Sequence, residues 1–221
     1  MRFLLIDTCG AEGNAALADT SLPSALVAQE ALPGRSASER LLPVVKQMLG
    51  AAGWRLKDLT AIVVVHGPGS FTGVRVGLSA AKGLSEAGGV PLIAVSRLAV
   101  LASAARRDTG EVCAVLDAGR GEFYCGVYVG QRCVREALLT EEEVTEAAAR
   151  SVAVVACEAK VAETLASLKP VVVREPQAAD ALPFAVERVE AQAFDDVAVL
   201  DANYLRRTDA EIFAKPVGLA N

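Results

Sequence analysis

A glycine-rich segment at residues 66–75, with the sequence HGPGSFTGVR, is the first candidate for a chemical role. It follows a run of β-forming residues and precedes a helical pattern, which predicts a strand–turn–helix joint. Glycines allow close backbone approach, and Thr72 could cap a helix whose free N–H groups receive a phosphate or a carboxylate. No Lys-Ser or Lys-Thr pair closes the segment, so it is not a Walker A loop. A phosphate-binding loop and a tight joint without a ligand both remain open.

Two aspartates at predicted strand ends form the second candidate. Asp7 with Thr8 follows the first strand, and Asp117 precedes Gly119 in a similar context in the second half of the chain. In a two-lobed ATPase, such turns face each other across a cleft, hold phosphates and position Mg²⁺. Glu12 would place a negative charge near any phosphate in the first turn, which weakens this hypothesis. Solvated strand ends without a ligand are the alternative.

Metal and nucleophilic chemistry find little support. His66 is the single histidine, so neither HxxxH nor HExxH can be written and no metal site is predicted. Ser70 lacks the GxSxG spacing of a nucleophile elbow, and Asp7 and Asp117 belong to different halves, unlike a two-metal nuclease. The five cysteines contain no CxxC pair and lie in or beside apolar runs, as expected for reduced thiols.

The elements that must position these residues repeat. In the first half we predict strands at 3–6, 14–19, 24–32, 59–65 and 91–95, with helices at 38–52, 72–87 and 96–107. A capping box of Ser36 with Glu39 should start the first helix, and Pro43 should kink it or delay its regular part. In the second half we predict strands at 112–119, 123–129, 132–139, 152–156 and 171–173, with helices at 141–150, 161–168 and 183–193. Two copies of one α/β unit imply two lobes with a cleft between them, and the tail from 202 to 221 should pack back across them.

Composition restricts the function classes. The chain has 221 residues, 52% of them apolar, which is enough for a substantial core. A net charge of −5 disfavours autonomous nucleic-acid binding, because such proteins usually carry a basic patch. No apolar stretch reaches the length of a membrane span, and Asp7 interrupts the first apolar run too early for a signal peptide. We therefore expect a cytoplasmic protein without a membrane segment.

Small residues recur along one face of the second predicted helix. Gly73, Gly77, Ala80 and Gly83 are three or four residues apart, so another backbone can approach this face closely. The face could pack on the chain's own sheet, or it could form a helix-to-helix seam with another subunit.

The segment at 66–75 closely resembles the GPGSFTGVR signature of the bacterial TsaB (YeaZ) family. Four other segments are also similar to that family: 5–8 at the first strand, 41–43 in the first helix, 116–124 at the start of the second half and 204–206 near the C-terminus. The resemblance therefore spans nearly the whole chain. One departure is Ala37, where many relatives carry a histidine, and any role of that histidine is in doubt here.

The resemblance implies an α/β fold of two ribonuclease-H-like lobes of the actin-like ATPase superfold, each a mixed sheet flanked by helices. We expect an N-terminal lobe at 1–107 and a C-terminal lobe at 108–221. It also implies a non-catalytic subunit for threonylcarbamoylation of the adenosine adjacent to the tRNA anticodon. Such a subunit pairs with the catalytic paralogue TsaD, is joined by the ATPase TsaE and contacts tRNA only through the complex. The glycoprotease-like label given to this family has no support in a chain with one histidine.

These inferences give two residue sets and no catalytic residue. The predicted partner interface, on the first two helices, contains Leu41, Leu42, Val45, Met48, Leu49, Gly73, Val76, Gly77, Ala80 and Gly83. The predicted vestigial nucleotide cleft contains Asp7, Thr8, Gly67, Gly69, Asp117 and Gly119. No cofactor should bind tightly, although ATP with Mg²⁺ could bind the assembled complex, and a homodimer of the isolated chain stays open. An ATP-dependent phosphotransferase of the same superfold and a metallopeptidase are the alternative functions.

Overall fold

The chain builds two five-stranded sheets, one from each half of the sequence. The structure is a computed structural model that describes residues 1–33, 36–107 and 109–205. The first sheet contains β1 (Arg2–Asp7), β2 (Gly13–Asp19), β3 (Leu26–Leu32), β4 (Ala61–Val65) and β5 (Leu92–Val95). The second contains β6 (Glu111–Gly119), β7 (Glu122–Val129), β8 (Arg132–Thr140), β9 (Ser151–Ala156) and β10 (Val171–Val172). The helices are α1 (Ala37–Ala51), α2 (Phe71–Gly88), α3 (Arg97–Ser103), α4 (Glu141–Ala148), α5 (Ala159–Thr164) and α6 (Leu182–Glu190).

The two sheets share one topology. Their strand orders are β3-β2-β1-β4-β5 and β8-β7-β6-β9-β10. In each sheet the first three strands are antiparallel, and the last two run parallel to the first. A helix connects the third strand to the fourth and another connects the fourth to the fifth. The predicted fold of two α/β lobes with mixed sheets is confirmed.

The last helix of each half packs on the sheet of the other half. Helix α3 contacts β6, β7 and β9, whereas α6 contacts β4 and β5. Helices α1 and α2 cover the remaining face of the first sheet, and α4 and α5 cover that of the second. Each half thus contributes a helix to the sheet of the other half. The predicted lobe boundaries, 1–107 and 108–221, stay a prediction.

Hydrophobic pattern explains the central elements. All five residues of β4 and all but the first of β1 are buried, as expected for strands covered on both faces. Helix α1 buries Leu41, Val45 and Met48, which lie one or two turns apart on one face. The exposed faces of α1 and α2 lie side by side, because the two helices also pack against each other.

Several predicted helix ends differ from the structure. The Ser36 capping box does not form, because the Ser36 hydroxyl donates to the Pro33 carbonyl at 2.7 Å. Helix α1 continues through Pro43 to Ala51. Ser70, rather than Thr72, caps α2 by accepting from the Gly73 N–H at 3.3 Å. Most other ends differ by one to three residues, and the predicted helix at 161–168 divides into α5 and a single 3₁₀ turn.

The described part of the tail packs against the glycine-rich joint. The Asn203 N–H donates to the His66 carbonyl at 2.8 Å, and the Asn203 side chain donates to Glu136 at 2.6 Å. Residues 206–221, which include part of the predicted tail and Arg206, lie outside the described residues. Among the residues that are described, no helix is long and apolar enough to cross a membrane.

Candidate functional site

The glycine-rich joint is fastened to the turn that follows β1. The Ser70 N–H donates to the Cys9 carbonyl at 2.8 Å, and the Thr8 hydroxyl donates to the Gly73 carbonyl at 2.6 Å. A side chain at Gly73 would overlap the Thr8 carbonyl oxygen, so only glycine permits this approach. The joint therefore fixes the start of α2 on the strand end that carries Asp7 and Thr8.

His66 contacts the C-terminal tail through both its backbone and its side chain. Its carbonyl accepts from the Asn203 N–H, and its Nδ1 lies 3.2 Å from the Asp201 carbonyl oxygen. Both contacts dock the tail. The contacts of the histidine are therefore those of a docking residue, although it belongs to the most distinctive segment of the sequence.

A cleft of about 470 Å³ lies between the two halves. It brings together Gly69 and Ser70 of the joint, the turn at Gly10, and the second strand-end turn at Asp117 and Gly119. Two turns that are distant in the sequence therefore line one opening, and its assignment as a vestigial nucleotide cleft stays a prediction. Of the other cleft residues predicted, Asp7 is buried beneath the turn, Thr8 lines a neighbouring groove, and Gly67 lies under Asn203.

Arg97 is the central cation of this cleft. Its side chain is 5% exposed, and one guanidinium nitrogen, Nη2, lies 2.5 Å from Glu175 Oε1. Asp7 also acts on it electrostatically and raises its pKa, against the lowering effect of burial. Its Nε is buried and has no acceptor among the described residues. The sequence prediction missed Arg97, because nothing in the spacing of residues 7, 97 and 175 connects them.

Asp7 is held as a buried carboxyl group. Burial raises its pKa, and the positive charge of Arg97 and the Cys9 N–H, which donates to Oδ1 at 2.8 Å, oppose that rise. The carboxyl thus organises the turn from below instead of facing the opening of the cleft.

The second turn carries its own ion pair and a second carboxylate. Lys160 contacts Asp117 at 2.9 Å and lowers the pKa of that carboxyl. The Asp117 N–H donates to Glu158 Oε2 at 2.7 Å. Burial raises the pKa of Glu158, while this N–H and Arg97 lower it. Glu158 therefore stands where an anionic ligand of the turn would stand.

Replacing Glu158 with glutamine tests this environment. When the pKa of a carboxyl group is higher in the folded chain than in the unfolded chain, the folded chain loses stability as the pH rises between those two pKa values. Glutamine keeps an acceptor for the Asp117 N–H but carries no charge. We expect the free energy of unfolding of E158Q, relative to the parent chain, to increase from about pH 4 to about pH 7, measured by urea denaturation. A difference between E158Q and the parent chain that stays flat with pH would contradict the assignment.

The donors of the first turn are already engaged within the chain. Glu175 Oε1 accepts the Ala11 N–H at 3.0 Å and pairs with Arg97, so a protein carboxylate occupies the anion position of the first turn. Within the described ranges, no group of three or more His, Cys, Asp or Glu side chains is placed to hold a metal ion. The predictions of no tight cofactor and no metal stay predictions.

A second opening lies on the outer face of α1 and α2. This groove has a volume of about 510 Å³ and includes Leu42, Phe71, Arg75, Val76 and Ala80 in its lining. Leu42 is 52% exposed and Phe71 50% exposed, so two large apolar side chains are exposed together in one groove. We call this surface the α1/α2 groove.

An aromatic cluster borders the α1/α2 groove. The Arg75 guanidinium lies 3.4 Å from the centroid of Phe71 and 5.4 Å from that of Tyr204. The two rings are 5.9 Å apart. This cluster joins the tail to α2. Phe71 and Arg75 are four residues apart inside the recognised motif, and that spacing could have revealed them.

The predicted interface residues divide into three groups. Leu41, Val45, Met48 and Leu49 are core residues, because they form the buried face of α1. Gly73 and Gly77 pack on Thr8, and a side chain at Gly77 would overlap its hydroxyl. The remaining four lie at or near the surface: Leu42, Val76, Ala80 and Gly83. The interface prediction stays a prediction, and only the last group could contact a partner directly.

Comparison with known proteins places the chain in a family. A family model described as "TsaD: tRNA N6-adenosine threonylcarbamoyltransferase" matches residues 31–149, more than half of the chain. The tRNA threonylcarbamoyladenosine biosynthesis protein TsaB of Escherichia coli is 39% identical over 130 residues, which are 58% of this chain and 55% of that protein. The chain belongs to this family, in its TsaB (YeaZ) branch. The TsaB protein of Bacillus subtilis is 37% identical over 107 residues, 48% of this chain and 47% of that protein. The chain thus spans about half the length of the curated relatives it matches.

Solved structures extend the TsaB/YeaZ likeness to nearly the whole chain. YeaZ from Pseudomonas aeruginosa matches with a TM-score of 0.77 and 29% identity, covering 92% of this chain and 99% of that one. An activator of the 2-hydroxyisocaproyl-CoA dehydratase from Clostridium difficile, solved with ADPNP bound, matches at 10% identity with a TM-score of 0.51, over 87% of this chain and 97% of that one. The second match concerns the fold alone, and the fold is the expected actin-like one.

Proposed function

We propose that this chain is a non-catalytic partner subunit in the biosynthesis of threonylcarbamoyladenosine in tRNA. The observation that carries the proposal is an identity of 39% over 130 residues to a TsaB protein whose name gives tRNA threonylcarbamoyladenosine biosynthesis. The fold supports the proposal, because YeaZ aligns along 92% of the chain.

The state of the cleft supports a non-catalytic role. Glu175 accepts the Ala11 N–H of the first turn, Glu158 accepts the Asp117 N–H of the second, and His66 is engaged with the tail. This arrangement favours a chain without a general base of its own, because its single histidine is used to dock the tail. No observation favours the alternatives of a phosphotransferase or a metallopeptidase.

The α1/α2 groove supports pairing with another subunit. It exposes Leu42 and Phe71 beside the positive charge of Arg75, and apolar residues with aromatic and arginine neighbours are typical of interface centres. We propose that a TsaD-like catalytic subunit docks here and that a TsaE-like ATPase, with ATP and Mg²⁺, joins the assembled pair. A stable contact of this kind buries about 1,200–2,000 Å² in total. The same groove would serve a homodimer of the isolated chain.

Contact with tRNA is proposed to occur only through the complex. The net charge of −5 gives the isolated chain little attraction for a phosphate backbone.

Expression of the chain in Escherichia coli depleted of its own TsaB tests the proposed function. We expect threonylcarbamoyladenosine to return in digested bulk tRNA, measured by mass spectrometry. Co-expression with the TsaD-like subunit of the same source controls for partner mismatch, and failure in both settings would contradict the proposal.

A further inference from the structure

Glu175 forms a contact between the two halves of the molecule. It lies in the segment between β10 and α6, whereas its partners Ala11 and Arg97 belong to the first half. Its Oε1 accepts the Ala11 N–H at 3.0 Å and lies 2.5 Å from Arg97 Nη2. A side chain on Gly10 would overlap that oxygen, so the carboxylate rests directly against the turn. We call this three-residue contact the Glu175 latch.

The partners of Glu175 have the chemistry of an anion site. A backbone N–H in a tight turn and an arginine are the donors that proteins direct at phosphates and carboxylates. The Arg97 side chain is almost fully buried, yet its Nε has no acceptor among the described residues. A buried donor without a partner is costly, and an arginine can donate five hydrogen bonds. Because Glu175 places a single oxygen near Arg97 Nη2, the Nε donor of Arg97 is left without an acceptor among the described residues.

The charges around Arg97 exclude a second anion while Glu175 is present. Asp7, Glu158 and Glu175 all act on Arg97 or on one another electrostatically, and Asp117 lies at the opposite side of the cleft. Among the described residues, three of these carboxyl groups line the cleft and Asp7 lies beneath it, whereas the cations that contact them are Arg97 and Lys160. A phosphate would meet net negative charge and a position that is already filled.

Glu175 is the solvent-exposed member of the latch. Its side chain is 41% exposed, in contrast to 5% for Arg97. Breaking its two contacts would open the turn, return the carboxylate to solvent and leave the arginine facing the cleft. The same motion would remove a direct link between the halves.

We propose that Glu175 is an internal anion that closes the cleft, keeping phosphate-bearing ligands away from the Ala11 N–H and Arg97 and holding the two halves together. The cleft is therefore a phosphate position that the chain fills with its own carboxylate. This inference concerns the isolated chain and does not depend on the proposed role in tRNA modification.

The test compares E175A with E163A, which removes an exposed glutamate outside the cleft. Inorganic phosphate is the probe, and binding is measured by calorimetry on the full chain. We expect E175A to bind phosphate at least about tenfold more tightly than the parent chain, because an internal competitor with charge-assisted hydrogen bonds is gone. E163A should behave like the parent chain. A folded E175A that binds phosphate no better than the parent chain would overturn the proposal.

Hydrogen exchange supplies a second measurement if E175A is poorly folded. E175Q keeps an oxygen that can accept from Ala11 but has no charge, so its fold should be preserved. We expect faster exchange of the Ala11 amide in E175Q than in the parent chain, together with a gain in phosphate affinity. Unchanged exchange and unchanged affinity in E175Q would equally overturn the proposal. Loss of tRNA modification with an intact latch would instead count against the proposed function alone.

Discussion

Replacing Leu42 with glutamate is expected to weaken pairing with the TsaD-like subunit by at least about 30-fold, the effect of losing one interface hot spot. Leu42 is 52% exposed on α1 and lines the α1/α2 groove. The substitution places a charge where an apolar contact is proposed, and an unpaired charge in a buried interface is costly. Because the side chain makes little contribution to the core, the variant should remain folded.

Leu22 provides the matched control for this prediction. It is 49% exposed in the turn between β2 and β3, away from the groove. L22E introduces the same chemical change and should pair with the affinity of the parent chain. Calorimetry or sedimentation velocity with the purified TsaD-like subunit gives both dissociation constants. Equal affinity for L42E and L22E would remove the groove from the proposed interface. An arginine at Gly77 would be a poor probe, since that position packs on Thr8.

Substitution of Gly73 by alanine is expected to lower the free energy of unfolding by about 2–3 kcal/mol or more. The new methyl group would overlap the Thr8 carbonyl oxygen, which belongs to the backbone and cannot rotate away. The Thr8 hydroxyl bond to the Gly73 carbonyl would be disturbed at the same time. A loss of this size is a large fraction of the stability of an ordinary domain.

Gly83 gives the opposite expectation for the same substitution in the same helix. Nothing lies within 4 Å of a side chain built there, and the residue is exposed. Alanine is a better helix former than glycine, so G83A should raise the free energy of unfolding by about 0.5–1 kcal/mol. Urea denaturation of both variants checks the pair. A G73A protein as stable as the parent chain would show that α2 does not depend on this close approach.

The sequence was informative where a hydrophobic pattern alone decides the structure. The continuous apolar runs at β1 and β4 predicted buried strands, and the repeated order of elements correctly implied two similar α/β halves. Asp7 and Asp117 could be placed at equivalent strand ends for the same reason. The helix caps were less predictable, because Ser70 and Thr72 are both good capping residues and only the backbone geometry selects Ser70.

The contents of the cleft could not be predicted from the sequence. Arg97, Glu158 and Glu175 lie far apart in the sequence, and only the tertiary fold brings their side chains to the same opening. The sequence predicted that Glu12 would place a negative charge near the first turn. The carboxylate that contacts this turn is that of Glu175, which comes from the other half of the chain. Similarly, helical spacing predicted that α1 and α2 pack against another element, but it did not show which face of each helix packs on the chain's own sheet. The exposed face, with Leu42 and Phe71, became clear only from the burial of its neighbours.

Reconstitution of tRNA threonylcarbamoylation from purified components tests the central claim most directly. The reaction contains the TsaD-like subunit, the TsaE-like ATPase, tRNA and the threonylcarbamoyl-adenylate donor, with this chain present or omitted. We predict that sustained formation of modified adenosine requires the chain and that L42E, but not L22E, reduces it. An equal yield of threonylcarbamoyladenosine with and without the chain would contradict its proposed role as a required partner subunit.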